Sequence, residues 1–210
     1  MKMVNQNKLV NLGHCQGVVT GEVFSPYPNI AILNVRVRSD RKNPETKKHE
    51  MHLLNFIARG EMAKEVLEKC KTGDAVFITY ELSEKVLMEE SGNADFRIEL
   101  CIKDIFIRDE EGRGRAGYLN TGHLQCRYLD ICRVPNSKNV YRLDVLYTAG
   151  KTNAPQRFTF FVYGPKGDDI QKNYKKGQAV LLQYKIEKSK RTRLNGKTDY
   201  YTNLVVERLT

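Results

Sequence analysis

The densest cluster of charged side chains in the sequence lies between residues 185 and 197. One acid, Glu187, accompanies six cations in this segment: Lys185, Lys188, Lys190, Arg191, Arg193 and Lys197. Closely spaced cations can follow a phosphate backbone and release its counterions, an interaction that weakens steeply with salt. Basic runs are also common on solvated surfaces, so the cluster suggests a polyanion ligand without establishing one.

A second set of residues with suitable chemistry lies between 157 and 163. If this segment is a strand, one face carries Phe158, Phe160 and Val162, and the other carries Arg157, Thr159, Phe161 and Tyr163. A small core cannot bury both faces. One of them is therefore free to offer flat rings and a cation, and every nucleic-acid base has a π-face that stacks on such rings.

Charge and aromatic residues are concentrated in the second half of the 210-residue chain, whose formal net charge is +10. Residues 1–110 contain 16 Lys or Arg and 17 Asp or Glu, whereas residues 111–210 contain 19 and 8. The second half also contains 12 of the 19 Phe and Tyr residues, and the chain has no Trp. A half that is both basic and rich in flat rings is typical of a nucleic-acid-binding region.

The sequence shows no catalytic or metal-binding motif. It lacks a Ser, His and Asp set, a Gly-rich phosphate loop and any Cys-x-x-Cys pair. His49 and His52 have no third ligand near them, and the acids at 61, 65 and 68 are spaced as solvated charge on a helix. A nuclease is therefore a weak alternative, and we predict a protein that is not an enzyme and needs no metal and no cofactor. The five cysteines are expected to be reduced thiols.

The apolar stretches are far shorter than the roughly 20 residues of a membrane-spanning helix. The first eight residues are polar and do not have the pattern of a secretory signal. These features predict a cytoplasmic protein without a membrane partner.

An internal repeat divides the chain into two similar units. Residues 55–105 align without a gap on residues 159–209, with ten identities in 51 positions. Only about three identities are expected from ordinary residue frequencies. We predict a first domain over 1–109, a charged, Gly-rich linker over 110–118 and a second domain over 119–210.

Alternating apolar residues predict that each unit is mostly β. Strands are expected near 7–24, 30–39, 50–58, 75–88 and 95–108 with a helix near 61–70, and then near 119–133, 139–149, 155–163, 178–188 and 198–208 with a helix near 166–175. Three strands, a helix and two more strands are the order of an oligonucleotide-binding (OB) barrel. The predicted fold class is all-β with one short helix per unit, arranged as two tandem five-stranded OB barrels.

Several short motifs, in this order along the chain, resemble the bacterial and phage single-stranded DNA-binding proteins. The opening strand at 7–13, the third strand and helix start at 52–63, the helix exit at 71–78 and the last strand at 200–209 carry the resemblance. The family usually ends in a disordered tail with an acidic tip that recruits other enzymes. This sequence stops at Thr210 without one, so recruitment by that route is not expected.

The resemblance implies which side chains meet the ligand. In the family, base-stacking rings lie on the strand face that ends just before a Gly, which here selects Tyr163 and Phe161, with Arg157 on the same face. Arg59 occupies the position of Tyr163 in the first unit, and Arg36 and Arg38 lie on the polar side of the strand beside it. The cationic segment 185–197 completes the predicted nucleic-acid-binding set.

The remaining tyrosines divide by strand parity. Tyr80, Tyr184 and Tyr147 share parity with apolar neighbours and are predicted to lie in the cores. Tyr200 and Tyr201 are adjacent, so one must face out, and the sequence leaves open which one.

The predicted function is sequence-tolerant binding of single-stranded DNA in replication, recombination or repair, by stacking bases and tracking phosphates. An RNA-binding or nucleoprotein adaptor on the same fold stays an alternative, because nothing in the sequence reads a 2′-hydroxyl. Since the family assembles four OB folds, two per chain imply a homodimer. The protein would be nucleoid-associated, or in the host cytoplasm if a phage or plasmid encodes it.

Overall fold

The computed structural model describes residues 9–88, 94–108, 119–148, 154–192 and 198–210, with no side-chain description at 86–88, 94–96, 191–192 and 199. The first repeat contains β1 (Asn11–Val19), β2 (Phe24–Tyr27), β3 (Ile30–Lys42), β4 (His49–Arg59), α1 (Glu61–Lys69), β5 (Ala75–Met88) and β6 (Ala94–Ile107). The second contains β7 (Asn120–Arg133), β8 (Val140–Tyr147), β9 (Gln156–Tyr163), α2 (Lys166–Asn173), β10 (Ala179–Thr192) and β11 (Thr198–Leu209).

The first repeat closes into a five-stranded barrel because β1 pairs with two strands. Its last residues pair with β3, as Val18 does with Arg36, and most of its length pairs with β5. The circuit continues through β3–β4, β4–β6 and β6–β5, with β4 and β6 parallel. β2 was not predicted as a separate strand; it pairs with the start of β3 outside this circuit.

The second repeat closes in the same way. β7 pairs with β10 and with β8, β8 pairs with β9, and β9 pairs in parallel with β11, which lies beside β10. Both repeats therefore have the predicted order and closure, and the prediction of two tandem OB barrels is confirmed.

Along each strand, every second side chain points into the barrel, and these side chains form its core. In β4 the buried set includes Leu54, Phe56 and Ala58, and in β9 it is Phe158, Phe160 and Val162. Tyr80, Tyr184 and Tyr147 are buried as predicted. Burial of apolar surface stabilises the folded state by about 25 cal/mol per Å², and it is the main source of each barrel's stability.

One glycine contact is repeated in both barrels. The Tyr80 ring packs edge-on against Phe56, with centroids 5.5 Å apart, and occupies the space where a Cβ on Gly13 would lie. Tyr184 does the same with Phe160, at 5.4 Å, and with Gly122. The close approach of ring to backbone requires glycine at both positions, which explains why Gly, Phe and Tyr recur in the repeat.

Each helix follows the third barrel strand and ends at an equivalent residue. The Cys70 N–H donates to the Val66 carbonyl at the end of α1, and the Tyr174 N–H donates to the Ile170 carbonyl at the end of α2. α1 buries only a narrow side against the barrel. Ala63 and Val66 are buried, whereas Leu67 is 43% exposed, because only the side of the helix nearest the barrel is covered.

Contacts between residues group the chain into two compact units. One comprises Leu12–Thr121 with Ile186–Asn203, and the other comprises Gly122–Lys185 with Leu204–Thr210 and the described residues up to Asn11. Residues 186–192 and 198–203, which we call the hairpin stem, thus belong to the same unit as β2–β6 and nearly all of β1. The predicted linker 110–118 lies outside the described residues, so the boundaries at 109 and 119 stay a prediction.

No helix within the described ranges is long and apolar enough to cross a membrane. Among the same residues no group of three or more His, Cys, Asp or Glu side chains is placed to hold a metal ion.

Candidate nucleic-acid interface

The outward side of β8 and β9 carries the rings selected from the sequence. We define the β8–β9 face as Arg142, Asp144, Arg157, Thr159, Phe161 and Tyr163. The inward residues of β9 fill the core, so Phe161 is left half-buried and Tyr163 is 39% exposed at the strand end. Phe161 lies directly across the strand pair from Arg142, and Tyr163 from Val140. Rings and guanidinium groups therefore lie side by side on one sheet surface.

A buried carboxylate organises the cations of this face. Asp144 is 3% exposed, although it lies on the outward side of β8, because two arginines cover it. The Arg142 and Arg157 guanidinium groups donate to its Oδ2 at 2.8 and 2.5 Å, and the Thr159 hydroxyl donates to Oδ1 at 2.7 Å. Both arginine side chains stay about half exposed, at 49% and 57%. The face thus presents two fixed guanidinium planes with one net positive charge.

These contacts determine the ionisation of Asp144. Burial alone would raise the pKa of its carboxyl group, but the hydrogen bonds from Thr159, Arg157 and Arg142 outweigh burial and lower it. The carboxylate therefore stays ionised at neutral pH, and its two ion pairs persist.

The equivalent surface of the first barrel has different chemistry. We define the β3–β4 face as Ile32, Asn34, Arg36, Leu53, Asn55, Ile57 and Arg59. Asn34 and Asn55 face each other across the strand pair, and the Asn55 amide donates to the Asn34 side-chain oxygen at 2.5 Å. Leu53 is 49% exposed beside Arg36, and Met51 just beyond the face is 47% exposed beside Arg38. This face is mainly apolar and amide in character.

Arg59 is less available than the sequence suggested. Its guanidinium donates to Glu99 at 2.6 Å, and Glu99 is almost buried and also pairs with Lys85 at 3.5 Å. Partial burial lowers the pKa of Arg59, but the hydrogen bond and the charge of Glu99 raise it by more. The pKa of Arg59 therefore lies above its ordinary value. Arg36 is exposed at the predicted polar side of β3, and Arg38 beside it is half-buried.

Part of the cationic segment 185–197 is covered by neighbouring residues. Lys188 is half-buried in the hairpin stem: its Nζ donates to the Asn55 side-chain oxygen at 3.4 Å, and its backbone N–H donates to His52 Nδ1 at 3.5 Å. Burial lowers the pKa of Lys188. Lys190 is exposed, whereas Lys185 is half-buried lower on β10. Arg193 and Lys197 lie outside the described residues, as does the Arg191 side chain.

The single acid of the segment is held inside the unit. Glu187 is 5% exposed and pairs with Arg41 at 3.2 Å. Its charge is therefore compensated by Arg41, a residue at the end of β3.

A cleft of about 750 Å³ separates β4 from the hairpin stem. It is lined by Asn43, Thr46, Lys48, His49, Glu50, Met51, His52, Leu53, Asn55, Lys188, Ser189, Lys190 and Tyr200. Tyr200 is 68% exposed and Tyr201 is 43% exposed, so both project, and it is Tyr200 that lines the cleft.

Sequence reasoning missed four residues of these surfaces. The contacts of Arg142, Asp144 and Asn55 depend on which residues lie opposite them on the neighbouring strand. The sequence of one segment alone does not show that pairing. Tyr200 was recognised only as half of a pair. The sequence offered a clue only for Asp144. It lies two positions from Arg142 on the polar side of a predicted strand, so the two side chains can form an ion pair.

Comparison with known proteins supports the fold. No family model matches the sequence, and no curated protein matches it either. Among solved structures, the wild-type single-stranded DNA binding protein from Thermus aquaticus superposes with a TM-score of 0.70 at 14% identity, covering 97% of this chain and 93% of that chain. A deletion mutant of that protein gives 0.70 at 15% identity, covering 97% and 94%. The resemblance read from the sequence is confirmed at the level of the tandem OB fold.

Proposed function

We propose that this protein binds single-stranded DNA with little sequence preference, stacking bases on rings and guanidinium planes while cations neutralise phosphates. The observation that carries the proposal is the β8–β9 face, where Asp144 fixes Arg142 and Arg157 beside Phe161 and Tyr163. The second and third strands of an OB barrel are the surface on which this fold binds oligonucleotides. The solved structures with the same tandem fold are named as single-stranded DNA binding proteins.

The arrangement suits stacking more than base reading. Each guanidinium already donates to Asp144, which holds its plane in place and leaves its flat surface for a base. Aromatic stacking is tolerant of sequence because every base offers a π-face, and it contributes about 1–3 kcal/mol per base. Binding of this kind makes and breaks no covalent bond, so we propose a role without catalysis.

The biological setting is also a proposal. A protein that covers single strands serves replication, recombination or repair, and a homodimer would bring four OB barrels together. Analytical ultracentrifugation of the intact chain tests the dimer, since it predicts twice the 24.2 kDa chain mass.

Equilibrium binding tests the proposal directly. Oligo-dT of about 35 nucleotides exceeds the roughly 4–16 nucleotides that one OB fold covers. Its dissociation constant should be measured beside the matched RNA and a duplex of equal length, over a salt series. We expect preference for oligo-dT and a logarithmic salt slope of about −0.7 per phosphate contacted.

Two variants of one residue separate stacking from other contacts. Tyr163→Ala should weaken oligo-dT binding about 5- to 150-fold, the equivalent of 1–3 kcal/mol, whereas Tyr163→Phe should retain most of the affinity because the ring remains. Equal, weak binding of all three nucleic acids that disappears at moderate salt would contradict the proposal. Tighter binding of RNA than of DNA would instead favour the RNA-binding alternative.

A further inference from the structure

A buried acid lies within the most basic segment of the chain. Glu187 is 5% exposed and is covered within the compact unit that contains the first barrel. Removing a carboxylate from water costs free energy, and a buried ion pair offsets that cost only when its geometry is good. An acid among cations also opposes their attraction to phosphates. Attraction to a polyanion therefore does not account for this side chain.

The strand itself does not require an acid at this position. In the alignment of the two repeats Glu187 corresponds to Ser83, and the preceding core residue Ile186 corresponds to Leu82. Both core residues are buried, so the alignment holds at this point of the two strands. The replacement of serine by glutamate therefore concerns contacts outside the core that the repeats share.

Two contacts hold the base of the hairpin stem. The Ile186 N–H donates to the Asn120 side-chain oxygen at 3.1 Å, and the Asn120 amide donates to the Ile186 carbonyl at 2.6 Å. One residue further along the stem, Glu187 Oε2 lies 3.2 Å from the guanidinium of Arg41 at the end of β3. An isolated two-stranded hairpin is only marginally stable in water, so contacts of this kind determine where the stem lies.

We propose that Arg41 and Glu187 are positioning residues for single-strand binding: their ion pair anchors the hairpin stem to β3 and holds its cations in place before the strand arrives. These cations include Lys188 and Lys190, which follow Glu187 on β10. Ordering a mobile segment on binding reduces affinity, so an anchored stem binds more tightly than a free one. The inference rests on the proposed function, because it assumes that single-stranded DNA is the ligand. It gives the first compact unit a part in binding, beyond the assembly-assisting role that its near-neutral sequence suggests.

A double variant of unchanged net charge tests the anchor. Arg41→Gln combined with Glu187→Gln removes the ion pair, and affinity for oligo-dT of about 35 nucleotides is measured over a salt series. We expect binding about 2- to 12-fold weaker than that of the wild type, with the same logarithmic salt slope. A slope reduced by about 0.7 would show instead that Arg41 contacts a phosphate directly, which would overturn the proposal. Glu81→Gln combined with Lys103→Gln is the matched control, since it removes an ion pair of 3.4 Å between β5 and β6 and should bind like the wild type.

The single variant Glu187→Gln gives the sharpest test because two explanations predict opposite signs. Loss of an acid should strengthen binding by charge alone, whereas loss of the anchor should weaken it. If Glu187→Gln binds more tightly, Arg41→Gln more weakly, and the two effects add, the charges act independently and the proposal fails.

Hydrogen exchange of the full chain without DNA supplies a second readout. In the double variant, amides at 186–190 should exchange faster while those of the first barrel core keep their wild-type rates. Faster exchange throughout the barrel would show a general loss of stability and would overturn a positioning role. Thermal melting establishes that each variant folds.

The outcomes separate this inference from the proposed function. If the wild type prefers oligo-dT and Tyr163→Ala weakens that binding, but the double variant binds like the wild type, the anchor is wrong and the proposed function stands. If the wild type shows no preference for single strands, the proposed function fails, and the ligand that the anchor is proposed to serve fails with it.

Discussion

Asp144→Asn tests the anchor of the β8–β9 face. The substitution keeps the shape of the side chain and removes the charge to which Arg142, Arg157 and Thr159 donate. A hydrogen bond to a charged group contributes about 1.5–3 kcal/mol, but both arginines are about half exposed, so solvent screening reduces their share. We expect a loss of about 2–3 kcal/mol of unfolding free energy at pH 7. For a chain of this length that lowers Tm by about 4–12 °C.

The pH dependence identifies the charge as the cause. Because the folded-state pKa of Asp144 is lowered, its contribution to stability is complete above the ordinary aspartate pKa and is lost as pH falls through the folded value. Calorimetry of wild type and Asp144→Asn from pH 7 to about pH 3 should show the Tm gap shrinking towards acid. Asp169→Asn, at an exposed site on α2, is the control. A variant that melts within 1 °C of wild type at pH 7 would refute the reasoning, and so would a gap that persists unchanged at low pH.

Two further predictions concern the barrel core and the cleft. Gly13→Ala should destabilise the first barrel by about 1–3 kcal/mol, because the added methyl group overlaps the buried Tyr80 ring. Denaturant unfolding measures this loss, and unchanged stability would show that the ring can move aside. Because burial lowers the pKa of Lys188, this side chain should lose its charge as pH rises towards that pKa, and wild-type affinity for oligo-dT should fall. Lys188→Arg keeps its charge, so its affinity should change less with pH. Parallel profiles in fluorescence titrations would show that Lys188 contacts no phosphate.

The fold was predictable because its signals are local and repeated. Alternation along β9 separated Phe158, Phe160 and Val162 from the outward residues, and the structure buries those three. The recurrence of Gly and Tyr at matching positions reflects one steric contact, a ring lying on backbone, which each barrel needs in the same place. Local periodicity and a duplicated core were therefore sufficient to establish two OB barrels.

The candidate site was less predictable because it depends on register between strands. Asp144 is buried in part because β8 and β9 pair so that Arg157 and Thr159 reach it across the strands, and neither segment shows this alone. The hairpin stem presents the same difficulty. Its sequence shows a basic run, but whether Lys188 projects or is covered depends on contacts with His52 and Asn55, more than 130 positions away.

The two faces place cations at the same position of the barrel by different means. Asn34 pairs with Asn55 in the first barrel at the point where Asp144 pairs with Thr159 in the second. In the second barrel the acid binds arginines from its own strands. In the first barrel no arginine among the described side chains binds the neutral amide pair, and Asn55 instead accepts from Lys188 of the hairpin stem. Through this contact with Asn55, the near-neutral first repeat has a cation beside its β3–β4 face, although the face has no equivalent of Asp144.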